Sequence, residues 1–256
     1  SSKVISIWKD KDEVNSADTN LNVYFVCNKT PFYAEAGGQV GDRGIFQSNN
    51  CSGQISDCKK QGKVFFHKAI INEGTLSKGD KIKLIVNKDK RLATANHHSA
   101  THLMHAALKE VLGEHVQQKG SQVDENKLRF DFSHSKPLSK QEISSIEKIV
   151  NHHILCNVEI KTKLMKKDEA IKAGAEAMFN EKYDDEVRVL TMGRDNYSVE
   201  LCGGTHANRT GDLSYFIITS QSNIASGVRR IEAVVGNEAH KYINQIKAAN
   251  ESLQEL

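Results

Sequence analysis

Asp89-Lys90-Arg91-Leu92-Ala93-Thr94-Ala95-Asn96-His97-His98-Ser99-Ala100-Thr101-His102-Leu103-Met104-His105-Ala106-Ala107-Leu108-Lys109-Glu110-Val111-Leu112 reads as one long helix, and Gly113 closes it at the C′ position. This helix divides the chain into two different patterns. Before it, residues 1 to about 87 read as β. The runs Val4–Trp8, Val23–Cys27, Gly53–Ser56, Val64–His67 and Lys81–Val86 are short and separated by Gly, Asn and Asp. Tight turns between short strands predict a small barrel.

After the helix, strands and helices alternate. A strand pair is expected near Glu114–Gln122 and Leu128–Ser133. Ser139 and Glu142 form an S-x-x-E capping box that opens a helix ending near His153. Asn157–Lys163 reads as a strand and Lys167–Ala173 as a short helix. Val187–Met192 with Tyr197–Leu201 reads as a hairpin, and Leu213–Ser220 and Arg229–Val235 as two more strands. The order lacks the rhythm of a parallel sheet, so the fold class is α+β. The expected organisation is a β-barrel-like part over 1–88, an α+β metal-binding part over 89–236 and a C-terminal helix over 237–256. That last helix, with Asn237 as N-cap, carries an apolar face of Ala239, Tyr242, Ile243, Ile246, Ala249, Leu253 and Leu256. It ends without a stop signal, and the chain opens on Ser1-Ser2 rather than Met. Both features are expected of a piece of a longer parent.

Composition narrows the class. Of 256 residues, 38% are hydrophobic and 26% charged, which is ordinary for a globular protein and excludes a disordered chain. The net charge of +3 permits a nucleic-acid partner without demanding one. The basic residues gather in four groups, at Lys59, Lys60 and Lys63; Lys88, Lys90 and Arg91; Lys161, Lys163, Lys166 and Lys167; and Arg229 with Arg230. No apolar run approaches membrane-spanning length and no signal peptide is present. An odd count of five cysteines without a CxxC predicts a cytoplasmic protein whose thiols are free or metal-bound.

Two ligand sets stand out among eleven histidines. His98 and His102 lie at i and i+4 of the long helix, a spacing that places two imidazoles roughly 5–6 Å apart on one face. Cys202-Gly203-Gly204-Thr205-His206 follows a strand, and its two glycines let the loop bring a thiolate and an imidazole to one point. A lone HxxxH is more often a pair of core histidines than a metal site. The two sets together offer one sulfur and three nitrogens, a donor set that favours zinc over magnesium or calcium. His97 is read as a surface residue, and His105 as a core or supporting group that could compete as a ligand. Phe130 and Phe132 share a strand face and are read as core. Arg229 and Arg230 alternate on a strand, so at least one is structural or solvent-exposed.

Six stretches together resemble the editing domain of alanyl-tRNA synthetases. They are Thr30-Pro31-Phe32-Tyr33-Ala34-Glu35-Ala36-Gly37-Gly38-Gln39 with Gly41-Asp42; Asn96 with His98–His102; Gln117–Gly120; Leu128–Phe132; Cys202–His206; and Gly227–Glu232. They run through nearly the whole chain. The metal-binding half is also similar to freestanding alanyl-tRNA deacylases and to threonyl-tRNA synthetase editing domains, whereas Ala-Glu-Ala-Gly-Gly-Gln is closer to the synthetase form. The resemblance implies a zinc cofactor held by His98, His102, Cys202 and His206. It implies catalytic-pocket roles for Thr30 and Gln39, and contacts from Gly37, Gly38, Arg229 and Arg230 to the tRNA(Ala) acceptor end. The implied reaction is hydrolysis of serine or glycine from that end, with aminoacylation and C-terminal domains supplied by a parent chain.

Such an activity has a physical rationale. A pocket built for alanine discriminates against the loss or gain of one small group by roughly 1–3 kcal/mol, so a second site must read what the first misses. Thr30 is the expected partner of the serine hydroxyl. Four protein ligands describe a closed zinc site and three with an open position a catalytic one; the sequence is compatible with both. No carboxylate stands out as general base, and the terminal hydroxyl of the substrate can assist. The alternatives are a freestanding deacylase and a zinc-stabilised RNA-binding module without catalysis.

Overall fold

The computed structural model describes residues 1–176 and 184–254. The chain forms two compact units, Ser1–Arg91 and Leu92–Leu256.

The first unit is all β apart from the start of the long helix. Its strands are β1 (Ser2–Lys9), β2 (Asp12–Val14), β3 (Ser16–Asp18), β4 (Asn22–Cys27), β5 (Gly44–Gln47), β6 (Cys51–Gln61), β7 (Val64–Ser77) and β8 (Lys81–Val86). All pairings are antiparallel. They run β1-β4-β7-β6-β5-β8, and β8 pairs with β1 again through Ser2–Ile82 and Lys3–Lys81. Alternate side chains turn inward to a core of Ile7, Phe25, Phe46, Ile55, Ile71, Leu76 and Ile82, all of them fully or almost fully buried. The β6–β7 hairpin is much longer than the two four-residue runs expected from sequence. Its ends carry Lys59, Lys60, Glu73 and Thr75, whose outward positions hide the strand pattern.

The second unit combines two antiparallel sheets with helices. The long helix α1 spans Lys88–Leu112, and Gly113 follows it at φ +113 with its N–H on the Lys109 carbonyl, as the C′ reading requires. The strands β9 (Gln118–Val123), β10 (Leu128–Ser133), β14 (Phe216–Ala225) and β15 (Val228–Val235) form a sheet in the order β14-β15-β10-β9. The helix α2 (Lys140–Leu155) opens with the reciprocal Ser139–Glu142 capping box. The strand β11 (Lys161–Lys166), the short helix α3 (Lys167–Lys172), and the strands β12 (Glu186–Met192) and β13 (Ser198–Leu201) complete the unit, with the order β11-β12-β13 in the second sheet. Leu103, Met104 and Leu108 of α1 join Phe130, Phe132, Ile146, Phe216 and Ile231 in one core.

The final helix α4 (Gly236–Gln254) begins one residue before the expected N-cap, on a glycine with φ +60. Of its apolar face only Ala239 is buried, Ile246 and Leu253 are exposed, and Leu256 lies outside the described residues. Among the described residues no helix is long and apolar enough to cross a membrane. The mixture of strand and helix is the α+β class expected from sequence.

Candidate metal centre

The helix α1 is buried along most of its middle, so His98 and His102 point inward rather than to solvent. Their rings stack with centroids 5.1 Å apart. The strand β13 delivers Cys202 to the same place, and the loop after it returns His206. The His206 ring centroid is 4.4 Å from that of His98 and 5.1 Å from that of His102. Cys202 Sγ lies 3.2 Å from His206 Nε2 and 3.5 Å from His98 Nε2. One donor atom from each of the four residues falls within 4.8 Å of every other. Cys202, His98 and His102 are buried, and His206 is partly open. The four residues expected from the two spaced sets are thus together.

The loop is held by one bond within it and by two from the Arg188 side chain. Gly204 N–H donates to Cys202 Sγ at 3.4 Å, Arg188 Nε donates to the Cys202 carbonyl at 2.8 Å, and Arg188 Nη2 donates to the Gly204 carbonyl. Ser99, one residue after His98, accepts from Ala207 N–H at 3.1 Å and sits 3.2 Å from His206 Nδ1. One turn of α1 therefore supplies a donor atom and also orients the opposite donor.

At Cys202 and His206 the electrostatics favour the ionisation states that a metal needs. Burial alone would raise the Cys202 thiol, but the imidazoles of His98 and His102 hold it well below the usual thiol range, as a thiolate. Burial and the neighbouring His98 push His206 down to about 3, so its ring is neutral. Burial also works against a charged His102, yet Glu200 and Cys202 more than offset it and push the group up to about 10. The excess of negative charge at this ring is what a bound cation would neutralise. His102 Nε2 is buried without a protein hydrogen-bond partner. One thiolate, three imidazoles and an orphaned buried nitrogen together fit a borderline-soft divalent cation.

Glu200 was not expected from sequence. It is 2% exposed, and its Oε2 lies 2.6 Å from His102 Nδ1 while Oε1 lies 3.2 Å from His105 Nδ1. Burial would raise its carboxyl, but His102 and His105 hold it well below the usual carboxylate range. It takes the Nδ1–H of His102 and leaves Nε2 facing the cluster, the arrangement by which carboxylates orient metal-bound histidines. The signal was strand alternation: Ser198, Glu200 and Cys202 occupy positions of one parity, all are buried, and two are polar. His105 is a supporting group and not a fifth donor to the cluster. With Glu176 and Glu200 it forms a second group of donors, where Glu176 is already ion-paired with Lys109.

His97 is a correction. It was read as a surface residue, but it is 1% exposed. Its Nε2 accepts from Val235 N–H at 3.3 Å and its Nδ1 donates to the Ala93 carbonyl at 2.9 Å. Desolvation lowers its pKa and keeps it neutral. It joins helix to sheet, a job that a simple hydrophobic pattern does not reveal.

The other expected site residues fall in two places. In the first unit, Ala36–Gln39 is a two-residue hairpin with both cross-strand backbone bonds made and with Gly37 and Gly38 at φ +56 and +80. These are type I′ values, which only residues tolerant of positive φ adopt without strain. Gln39 is buried and Thr30 is half-buried. Arg91 clamps the ends of this segment through the Asp42 carboxylate and the Pro31 carbonyl. In the second unit, Arg229 and Arg230 alternate in burial as expected. Arg230 forms a forked pair with Asp131 at 2.7 and 2.8 Å. Arg229 is 8% exposed, gives Nη2 to Gln221 at 3.2 Å, and has an Nε without a partner.

Comparison with known proteins adds two family matches. Residues 1–90 match the class II (A) tRNA synthetases, and residues 187–232 match the second additional domain of threonyl and alanyl tRNA synthetases. Among curated relatives, an alanine–tRNA ligase of Pseudomonas fluorescens is 49% identical over 255 residues, covering 100% of this chain and 29% of its own length. Those of Methylococcus capsulatus and Parvibaculum lavamentivorans are 46% and 48% identical, each over 99% of this chain, with 29% and 30% of their own lengths covered. The chain therefore spans less than a third of the relatives it matches.

Proposed function

Because the chain belongs to the alanyl-tRNA synthetase family, we propose that it is an editing hydrolase that releases serine or glycine wrongly esterified to the 3′ end of tRNA(Ala). The observation that carries this reading is the convergence of Cys202 with His98, His102 and His206 around an orphaned His102 Nε2.

Zinc is the cation that suits one thiolate and three imidazoles. When bound, such an ion supplies Lewis-acid polarisation and a point that orders the amine of the substrate. The chain's own residues do the rest. Cys202, His98, His102 and His206 would hold the ion. Glu200 is engaged by His102, His105 and Ser198, which gives it a positioning role and leaves it poorly placed to act as a base. Thr30 reads the serine hydroxyl, and Gln39 lines the same pocket. In the first unit, Gly37 and Gly38 serve the acceptor end through a turn that lets backbone approach closely; in the second, Arg229 supplies positive charge from a largely buried position. Arg230, committed to Asp131, holds the strand that presents Arg229. The partner is the acceptor end of tRNA(Ala), and the reaction takes place in the cytoplasm.

Deacylation of seryl-tRNA(Ala) and alanyl-tRNA(Ala) by the zinc-loaded protein tests this reading. Faster release of serine than of alanine is expected. Equal rates, or no release by protein with full zinc occupancy and none by the same segment within its full-length relative, would overturn it.

A further inference from the structure

A further buried histidine lies in the first unit and is not part of the donor set described above. His67, on β7, has no exposed surface. It faces Phe25 across the β4–β7 pairing, with the two rings stacked 4.9 Å apart, and Phe32 meets it edge-on at 5.4 Å. Desolvation in these aromatic surroundings lowers its pKa and keeps the ring neutral.

A neutral imidazole carries one N–H and one bare nitrogen, and its partners decide which is which. Nδ1 lies 3.2 Å from the Phe25 carbonyl oxygen, which can only accept, so Nδ1 carries the hydrogen. Nε2 is then an acceptor, and it lies 2.8 Å from Thr30 Oγ1. The Thr30 hydroxyl must donate to it. The same Oγ1 accepts from Phe32 N–H at 3.1 Å. A hydroxyl has one donor and two acceptor positions. His67 takes the donor and Phe32 takes one lone pair, so one lone pair remains.

We propose that His67 is a positioning residue for substrate selection, fixing the Thr30 hydroxyl so that it meets a substrate only as a hydrogen-bond acceptor. The side chain that satisfies the remaining lone pair must bring its own hydroxyl donor. Serine does so, whereas alanine and glycine cannot. This inference rests on the reading of Thr30 as the residue that discriminates between substrates. Without His67, the hydroxyl rotates and offers its hydrogen to water, and the preference for a donor is lost.

The test combines kinetics with a direct view of the ring. In the zinc-loaded protein, His67→Phe keeps an aromatic ring in the cavity but removes the acceptor. It is expected to lower kcat/KM for seryl-tRNA(Ala) by roughly 10-fold, the scale of one hydrogen bond, and to leave that for glycyl-tRNA(Ala) unchanged. His67→Gln, whose amide reaches the Nε2 position, should restore most of the loss. Thr30→Val should lose the same factor, and the double variant should lose no more, because both act through one hydroxyl. Two-bond proton–nitrogen NMR of the imidazoles should show His67 as the neutral Nδ1–H tautomer, and the split between seryl- and glycyl-tRNA(Ala) in kcat/KM is the readout that a merely structural role would not move. An Nε2–H tautomer or an imidazolium overturns the inference, as does an unaltered seryl-to-glycyl ratio in His67→Phe when the parent protein edits. Absence of editing in the parent protein overturns the functional reading itself, so the two failures are distinguishable.

Discussion

His67 in the first unit and His102 in the second are both completely buried, yet the chain treats them in opposite ways. Every nitrogen of His67 has a protein partner, desolvation dominates, and the ring is neutral and complete. His102 has a carboxylate on Nδ1 and nothing on Nε2, and the surrounding negative charge outweighs desolvation. Burial alone therefore does not mark a ligand. At His102 the mark is an incomplete partner list in a field that favours positive charge, whereas His206, another donor of the set, has a partner on each nitrogen. His97 falls on the His67 side of this divide, with both nitrogens matched to backbone groups.

That contrast can be broken at several points. The largest effect is expected from removing two donors of the incomplete set. A His102→Ala, Cys202→Ala double variant should no longer co-purify with zinc and should lose deacylation, as read by elemental analysis and a deacylation assay. Stoichiometric zinc in this variant would refute the four-residue site. A smaller effect is expected from the carboxylate that orients the donor. Glu200→Gln should retain the fold but weaken zinc affinity by about 10–100-fold, measured by competition with a chromophoric chelator. An unchanged affinity would mean that Glu200 balances charge without steering the ring. The smallest effect is expected on the complete side. His97→Phe strands the Val235 N–H, while the Ala93 carbonyl keeps its helix bond. It should cost about 1–3 kcal/mol of stability in denaturant unfolding while zinc content stays full. Loss of zinc in that variant would erase the distinction drawn here.

The sequence was most legible where partners are close in it. The four donors come as two local sets, each spaced four apart, so helix geometry and a glycine loop sufficed to find them. Gly113 and the Ser139–Glu142 box were equally local. Glu200 escaped because its partners, His102 and His105, lie 98 and 95 residues away. His97 was misread because an imidazole counts as polar until its backbone partners are known, and Val235 is 138 residues distant. The strands β6 and β7 were underestimated because their outward residues are charged or small, and pairing with each other extends them beyond what propensity marks. The Thr30–His67 bond joins residues 37 apart on different segments, and no spacing rule reaches it.

The donor set has a consequence in time as well as in space. His98 and Cys202 are 104 residues apart. At synthesis rates of roughly 5–20 residues per second, the helix carrying the imidazole pair leaves the ribosome about 5–20 s before the loop that carries the other two donors. During that interval the nascent chain owns half a claw. A ribosome that stalls before Cys202 leaves behind a product with two of the four donors.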